Sequence, residues 1–278
     1  MYTYTDYYKN NSFNNNTLKK VVDKDNKSIL KVYFIDVGQG DSILISNNNK
    51  YMLIDAGNNE DGPKLVKYFK NLGIKKFDYV IGTHAHEDHI GGMDDIIYNF
   101  DIENFYMPEV ISVTRTFEDV LNALEEKEVA FQTPKIDSNF SFSNCLVNVL
   151  YVDNNSEDLN DSSIVLRLKF LNNSFLFMGD ASSKVERKIL SKNIQSDVLK
   201  VGHHGSRYAT SQRFLDKVKP QFAVISVGVN NIYNHPHEET INRLNKNNII
   251  IHRTDKEGTL VAIANGTIIN FENINTNF

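Results

Sequence analysis

Four residues within one short span, His84, His86, Asp88 and His89, carry the side chain types that hold divalent metals. They follow the apolar run Tyr79-Val80-Ile81 and precede Gly91-Gly92. Alternate residues of an extended segment point the same way, so His84 and His86 can meet at one point. Asp88 and His89, beyond the bend, can serve a second point beside it. Neutral imidazole and carboxylate suit zinc, manganese or iron. Two such ions about 3.5–4 Å apart acidify a shared water and stabilise developing negative charge, which is the chemistry of hydrolysis. A solvated turn accounts for one histidine, but not for three with an aspartate at a strand end.

Other residues could complete such a centre. His203 and His204 follow the apolar run 198–201, with glycines on both sides that allow a turn aiming both rings inward. One can ligate a metal while the other binds or protonates a leaving group, a task that suits imidazole near neutral pH. We take His203 as the ligand and His204 as the acid, with the reverse assignment left open. Asp55, at the end of the run 52–54, is placed to accept the free N–H of a metal-bound histidine and fix its tautomer. Ser206 and Arg207, just past the histidine pair, are candidate phosphate contacts. The lone cysteine, Cys145, excludes an internal disulfide and a cysteine-based zinc site, and its apolar surroundings predict a buried core thiol.

These residues need a frame. Short apolar runs at 29–35, 42–45 and 52–54 are separated by Gly38-Gln39-Gly40-Asp41 and Asn47-Asn48-Asn49. Connections this short make an antiparallel meander. A helix over 63–72 and a strand over 79–81 follow, then a helix near 93–98, a strand over 104–107 and a helix near 117–127. A second meander, 146–152, 163–170 and 174–178, opens an equivalent second half. Helices are predicted over 184–190, 212–218 and 238–245, strands over 198–201, 222–227 and 249–251, and a closing hairpin across Asn265-Gly266. Two such halves predict an α/β fold of two mixed sheets face to face with helices outside, an αββα sandwich. Residues 1–27, polar and rich in Asn and Tyr, read as an N-terminal arm, and 28–278 as one hydrolase domain.

The motifs resemble those of the metallo-β-lactamase fold hydrolases, whose signature is His-x-His-x-Asp-His. Phe34 to Ile45, Leu53-Ile54-Asp55-Ala56-Gly57, Phe177-Met178-Gly179-Asp180 and Leu199 to Ser206 resemble segments of the ComEC-like subgroup, named for the hydrolase domain of a DNA-uptake competence protein. The resemblance implies that Asp180 bridges two metals and that His235 supplies a late ligand to the second. The implied metal set is His84, His86, Asp88, His89, Asp180, His203 and His235, with Asp88 and His204 as catalytic residues. Many family members carry a further mid-chain histidine for the first metal. Here that stretch is Asn160-Asp161-Ser162-Ser163, which leaves the first site short of a ligand.

The expected activity is therefore a binuclear, Zn²⁺- or Mn²⁺-dependent hydrolase using a metal-held hydroxide on phosphodiesters, with a nucleic acid or nucleotide as substrate. The alternatives are ester, thioester or lactam hydrolysis on the same fold, and a metal-stabilised binding domain without turnover. A net charge of −5 gives no footprint for strong non-specific nucleic-acid binding. No run approaches the length of a membrane span and the N-terminus lacks a signal-peptide pattern, so the expectation is a cytoplasmic protein without membrane insertion.

Overall fold

The computed structural model describes residues 28–274 and 276; the expected arm, 1–27, lies outside the described residues. Period-two alternation sorts the first strands onto two faces. Leu30, Val32 and Phe34, Ile43 and Ile45, and Met52 and Ile54 face one buried layer. Tyr33, Ile35, Leu44 and Leu53 face another. A one-residue slip would exchange the two sets, so both cores specify the register.

Eight strands form the first sheet, in the order Ile269–Ile274, Thr259–Ala264, Leu30–Phe34, Ser42–Asn47, Lys50–Ala56, Tyr79–Ile81, Phe105–Tyr106 and Phe131–Gln132. The second sheet runs Ile250–Arg253, Phe222–Ile225, Val198–Lys200, Asn173–Phe177, Val165–Phe170, Cys145–Tyr151 and Asn139–Phe142. Each joins an antiparallel meander to parallel strands. The two expected halves are therefore present, and the C-terminal hairpin is added to the first sheet beside Leu30–Phe34.

Three buried clusters define the layers. Helices Gly62–Asn71, Met93–Asn99 and Arg115–Glu126 cover the outer face of the first sheet. Helices Ser183–Ile189, Gln212–Val218 and Glu238–Lys246 cover that of the second. The third cluster lies between the sheets, and Cys145 is part of it. Burial pushes the Cys145 thiol up to about 12, as expected of a core residue. The expectations missed the edge strand Asn139–Phe142, whose alternation is hidden in a polar stretch, and the one-turn helix Glu87–Ile90. Among the described residues no helix is long and apolar enough to cross a membrane.

Candidate metal centre

The parallel strands of both sheets deliver their following loops to one end of the sandwich. Tyr79–Ile81 leads into Thr83 to His89, and Asn173–Phe177 into Gly179-Asp180. Val198–Lys200 leads into the turn Gly202–Gly205, and Phe222–Ile225 into Ser226 and on to His235. The first loop turns at His86, which precedes the helix Glu87–Ile90 with extended backbone. Its return needs a residue without a side chain: a Cβ at Gly91 would lie 2.3 Å from the Asn58 backbone. His203 and His204 both take left-handed backbone, with φ of 50° and 52°. The flanking glycines were expected to allow this turn; Gly205 does so at φ +84°, but His203 and His204 carry strained dihedrals as well, at about 1–3 kcal/mol each.

Asp88, His89, Asp180 and His204 each offer a ligand atom within 4.8 Å of one another. His89 Nε2 lies 3.3 Å from Asp180 Oδ1 and 3.3 Å from His204 Nε2. His204 Nε2 is 3.2 Å from Asp88 Oδ2 and 3.5 Å from Asp180 Oδ2. Beside this group, His84 Nε2 and His86 Nδ1 face each other at 3.1 Å. The far side of each buried ring is fixed. His89 Nδ1 donates to Asp55 Oδ2 at 2.8 Å, and His204 Nδ1 donates to the Ser226 carbonyl at 2.9 Å. His84 Nδ1 donates to Thr83 Oγ1, which donates to Asp55 in turn. The Nε2 atoms of all three are thereby directed inward, toward one another and the carboxylates.

The electrostatics suit a cation. Burial alone would depress the His89 imidazole, but the carboxylates of Asp180, Asp55 and Asp88 hold its pKa well above the ordinary value. Asp180 is held well below the usual carboxylate range, because His204 and His89 outweigh its burial. Asp180 Oδ1, His235 Nδ1 and Asn160 Oδ1 are buried without a hydrogen-bond partner. Orphaned buried acceptors are costly, and a bound cation would relieve those aimed at it. The donor set, two carboxylates with imidazoles, fits a divalent zinc- or manganese-type ion.

An open cleft of about 350 Å³ covers the group, lined by His86, Asp88, Asp180, His203, His204 and His235 together with Gln39, Glu87, Asn160 and Tyr233. The structure brings His204 rather than His203 into the tight group of four. His203 is more open, with Nε2 3.7 Å from Asp180 Oδ2 and its ring 5.4 Å from that of His235. Asp55 stands where it was expected, behind His89. Ser206 and Arg207 do not line the cleft. Ser206 is buried, with Oγ accepting from the Tyr208 N–H, and Arg207 turns outward to pair with Glu239 at 2.9 Å. Sequence reasoning gave no role to Gln39 and Tyr233, on loops, or to Asn160, in the short 3-10 turn Leu159–Ser162. It also gave none to Asp41 and Lys200, a buried ion pair behind the site. A lysine at an inward position of an apolar strand was the available signal for the latter.

The sequence profile of the metallo-beta-lactamase superfamily matches residues 35–229. This chain belongs to that superfamily. ComE operon protein 3 of Bacillus subtilis is 32% identical over 251 residues, covering 83% of this chain and 32% of the relative. Competence protein ComA of Neisseria gonorrhoeae is 31% identical, covering 81% of this chain and 31% of its own length. Recombination protein 2 of Haemophilus influenzae is 30% identical, covering 84% and 28%. The ComEC-like resemblance therefore holds, and the chain spans about a third of the length of these curated relatives. Among solved structures, the metallo-beta-lactamase fold protein YhfI of Bacillus subtilis superposes with a TM-score of 0.58 at 11% identity, covering 87% of this chain and all of that one. CmlA, a diiron beta-hydroxylase from Streptomyces venezuelae, superposes with a TM-score of 0.55 at 12% identity, covering 82% of this chain and 52% of its own. At such identities the superpositions show the fold alone, and the same fold in CmlA carries a different chemistry.

Proposed function

We propose that this member of the superfamily is a binuclear metal-dependent hydrolase of phosphodiesters, with a nucleic acid strand or nucleotide as substrate. The observation that carries the metal-dependent reading is the convergence of Asp88, His89, Asp180 and His204 within 4.8 Å at the floor of an open cleft. His84 and His86 would hold one metal and Asp88, His89 and His204 the other, with Asp180 between the two sets. Zinc or manganese bound there would supply Lewis-acid polarisation of a phosphoryl oxygen and would acidify water.

The remaining residues orient and exchange protons. His204, fixed by Ser226, is assigned to the ligand set. His203, at the open edge of the cleft, takes over the expected task of protonating the leaving oxygen. His235 forms the opposite wall; burial and the rings of His203, His204 and His237 push it down to about 4, so it is neutral and able to accept a hydrogen bond. Phosphodiester rather than lactam or thioester chemistry is favoured by two facts. Asn160 occupies the cleft wall in the stretch where many members place a third first-site histidine. The relatives bear competence and recombination names.

Purified protein loaded with Mn²⁺ or Zn²⁺ should cleave bis-p-nitrophenyl phosphate and single-stranded DNA, and His89→Ala should abolish this cleavage by removing a metal ligand. Turnover of nitrocefin or a thioester without phosphodiester cleavage would reject the substrate class. Stoichiometric metal with no turnover of any of these would favour a binding domain.

A further inference from the structure

Two segments that carry the family resemblance supply charged side chains that the ligand assignment above does not use. Asp41 and Lys200 are each 1% exposed, and Lys200 Nζ lies 2.7 Å from Asp41 Oδ2. Lys200 shares the inward face of strand Val198–Lys200 with Val198, while Asp41 immediately precedes strand Ser42–Asn47 of the other sheet. The pair thus joins the two sheets at the end that bears the metal centre. Taking both charges out of water is costly, and two apolar side chains would hold the sheets together as well or better. Cohesion of the sheets is therefore a weak reason for keeping it.

The rest of Asp41 supplies a stronger one. Its Oδ1 is buried without a hydrogen-bond partner and lies 3.6 Å from His204 Nδ1. Its main-chain N–H donates to the Asp88 carbonyl at 3.0 Å. The preceding Gly40 packs so closely that a Cβ there would lie 2.5 Å from the same carbonyl. From behind, Asp41 therefore meets both His204 and Asp88, two of the four converging residues. Asp55 plays the corresponding part for His89, but its carboxylate is held by the neutral Thr83 rather than by a cation.

We propose that the buried Asp41–Lys200 pair is a positioning device for the metal centre, in which Lys200 anchors Asp41 so that Asp41 orients His204 and Asp88 toward the cation. Neither residue touches the metal. The inference rests on the metal-binding reading above. Its test measures binding, not turnover: metal-free protein competes with a chromophoric chelator for Zn²⁺, and the visible absorption of the Co²⁺-loaded protein is recorded. The variants are Lys200→Met and the double variant Asp41→Leu/Lys200→Met. Replacing both charges removes the uncompensated one, so the double variant should unfold at or above the temperature of Lys200→Met. It should nonetheless bind Zn²⁺ about 10–100-fold more weakly than the wild type, as loss of an outer partner does, with an altered Co²⁺ spectrum. A folded double variant with wild-type affinity and spectrum overturns the proposal. Failure of both variants to fold overturns it too, by making the pair a folding requirement. Wild-type protein that binds no cation instead rejects the metal-binding reading itself.

Discussion

His89 and His204 face each other with Nε2 atoms 3.3 Å apart, where two imidazoles must share either a proton or a cation. What decides between them lies behind the rings. Asp55 accepts from His89 Nδ1, Thr83 N and Thr83 Oγ1 at 2.7–2.8 Å, so one carboxylate fixes both a ring and the loop that carries it. Asp55 itself sits at a positive φ of 59°, a strained setting held by those three bonds. Asp55→Asn keeps the shape but offers a single acceptor oxygen where three donors need two, so His89 or Thr83 loses its partner. The expected outcome is a folded protein with metal affinity reduced about 10–100-fold. Chelator competition measures it; an affinity equal to wild type would show that the His89 tautomer does not depend on Asp55.

Elements succeed or fail here by how closely their backbones approach. The loop from His84 to His89 is held by the pair Gly91-Gly92, where a Cβ would strike the backbone of Asn58 and of Ala56. Gly91→Ala should therefore destabilise the protein by about 1–3 kcal/mol, as overpacking does, and loosen metal binding with it. Gly38→Ala, at φ +70° in open space, should cost only about 1 kcal/mol through backbone strain alone. Denaturant unfolding of both compares the two causes, and equal losses would mean that close packing at Gly91 is not the controlling contact. This level also marks the limit of what the sequence discloses. Alternation in residues 29–54 and 174–178 and the glycine-bounded histidine loop were legible, because period and turn chemistry are local. Which of His203 and His204 joins the group of four was not, since adjacent residues in a turn of positive φ follow neither the strand nor the helix period. Asp41 and Lys200 were not, since their partnership exists only once the sheets are stacked. That Ser206 and Arg207 lie off the cleft was hidden for a related reason: proximity in sequence to a candidate ligand says nothing about which side of the turn faces the cleft.

At the scale of the whole molecule, the site loads the fold with buried charge that protons must balance when no cation is bound. Burial, and next the charge of His89, hold the His84 imidazole well below the ordinary 6.5, and His235 is pushed down to about 4. Unfolding lets both take up protons, so between their folded values and the ordinary 6.5 stability rises with pH. His89 and His204 behave oppositely, because neighbouring carboxylates, Asp180 foremost, outweigh their burial and raise them. Their contribution is fully present below the ordinary 6.5 and is lost as pH rises through their folded values. The metal-free protein should accordingly be most stable near pH 6.5, the ordinary value from which all four histidines depart. A bound cation displaces the protons on His89 and His204, so binding releases protons and is favoured at higher pH. Zn²⁺ should then raise the melting temperature more at about pH 8 than at about pH 6, since ligand binding stabilises in proportion to its effective affinity. Thermal melts of chelator-treated and reloaded protein across that range test both statements. A metal-free melting temperature that kept climbing toward pH 8 would contradict the charge balance assigned to His89 and His204, and a metal effect independent of pH would contradict their displacement by the cation.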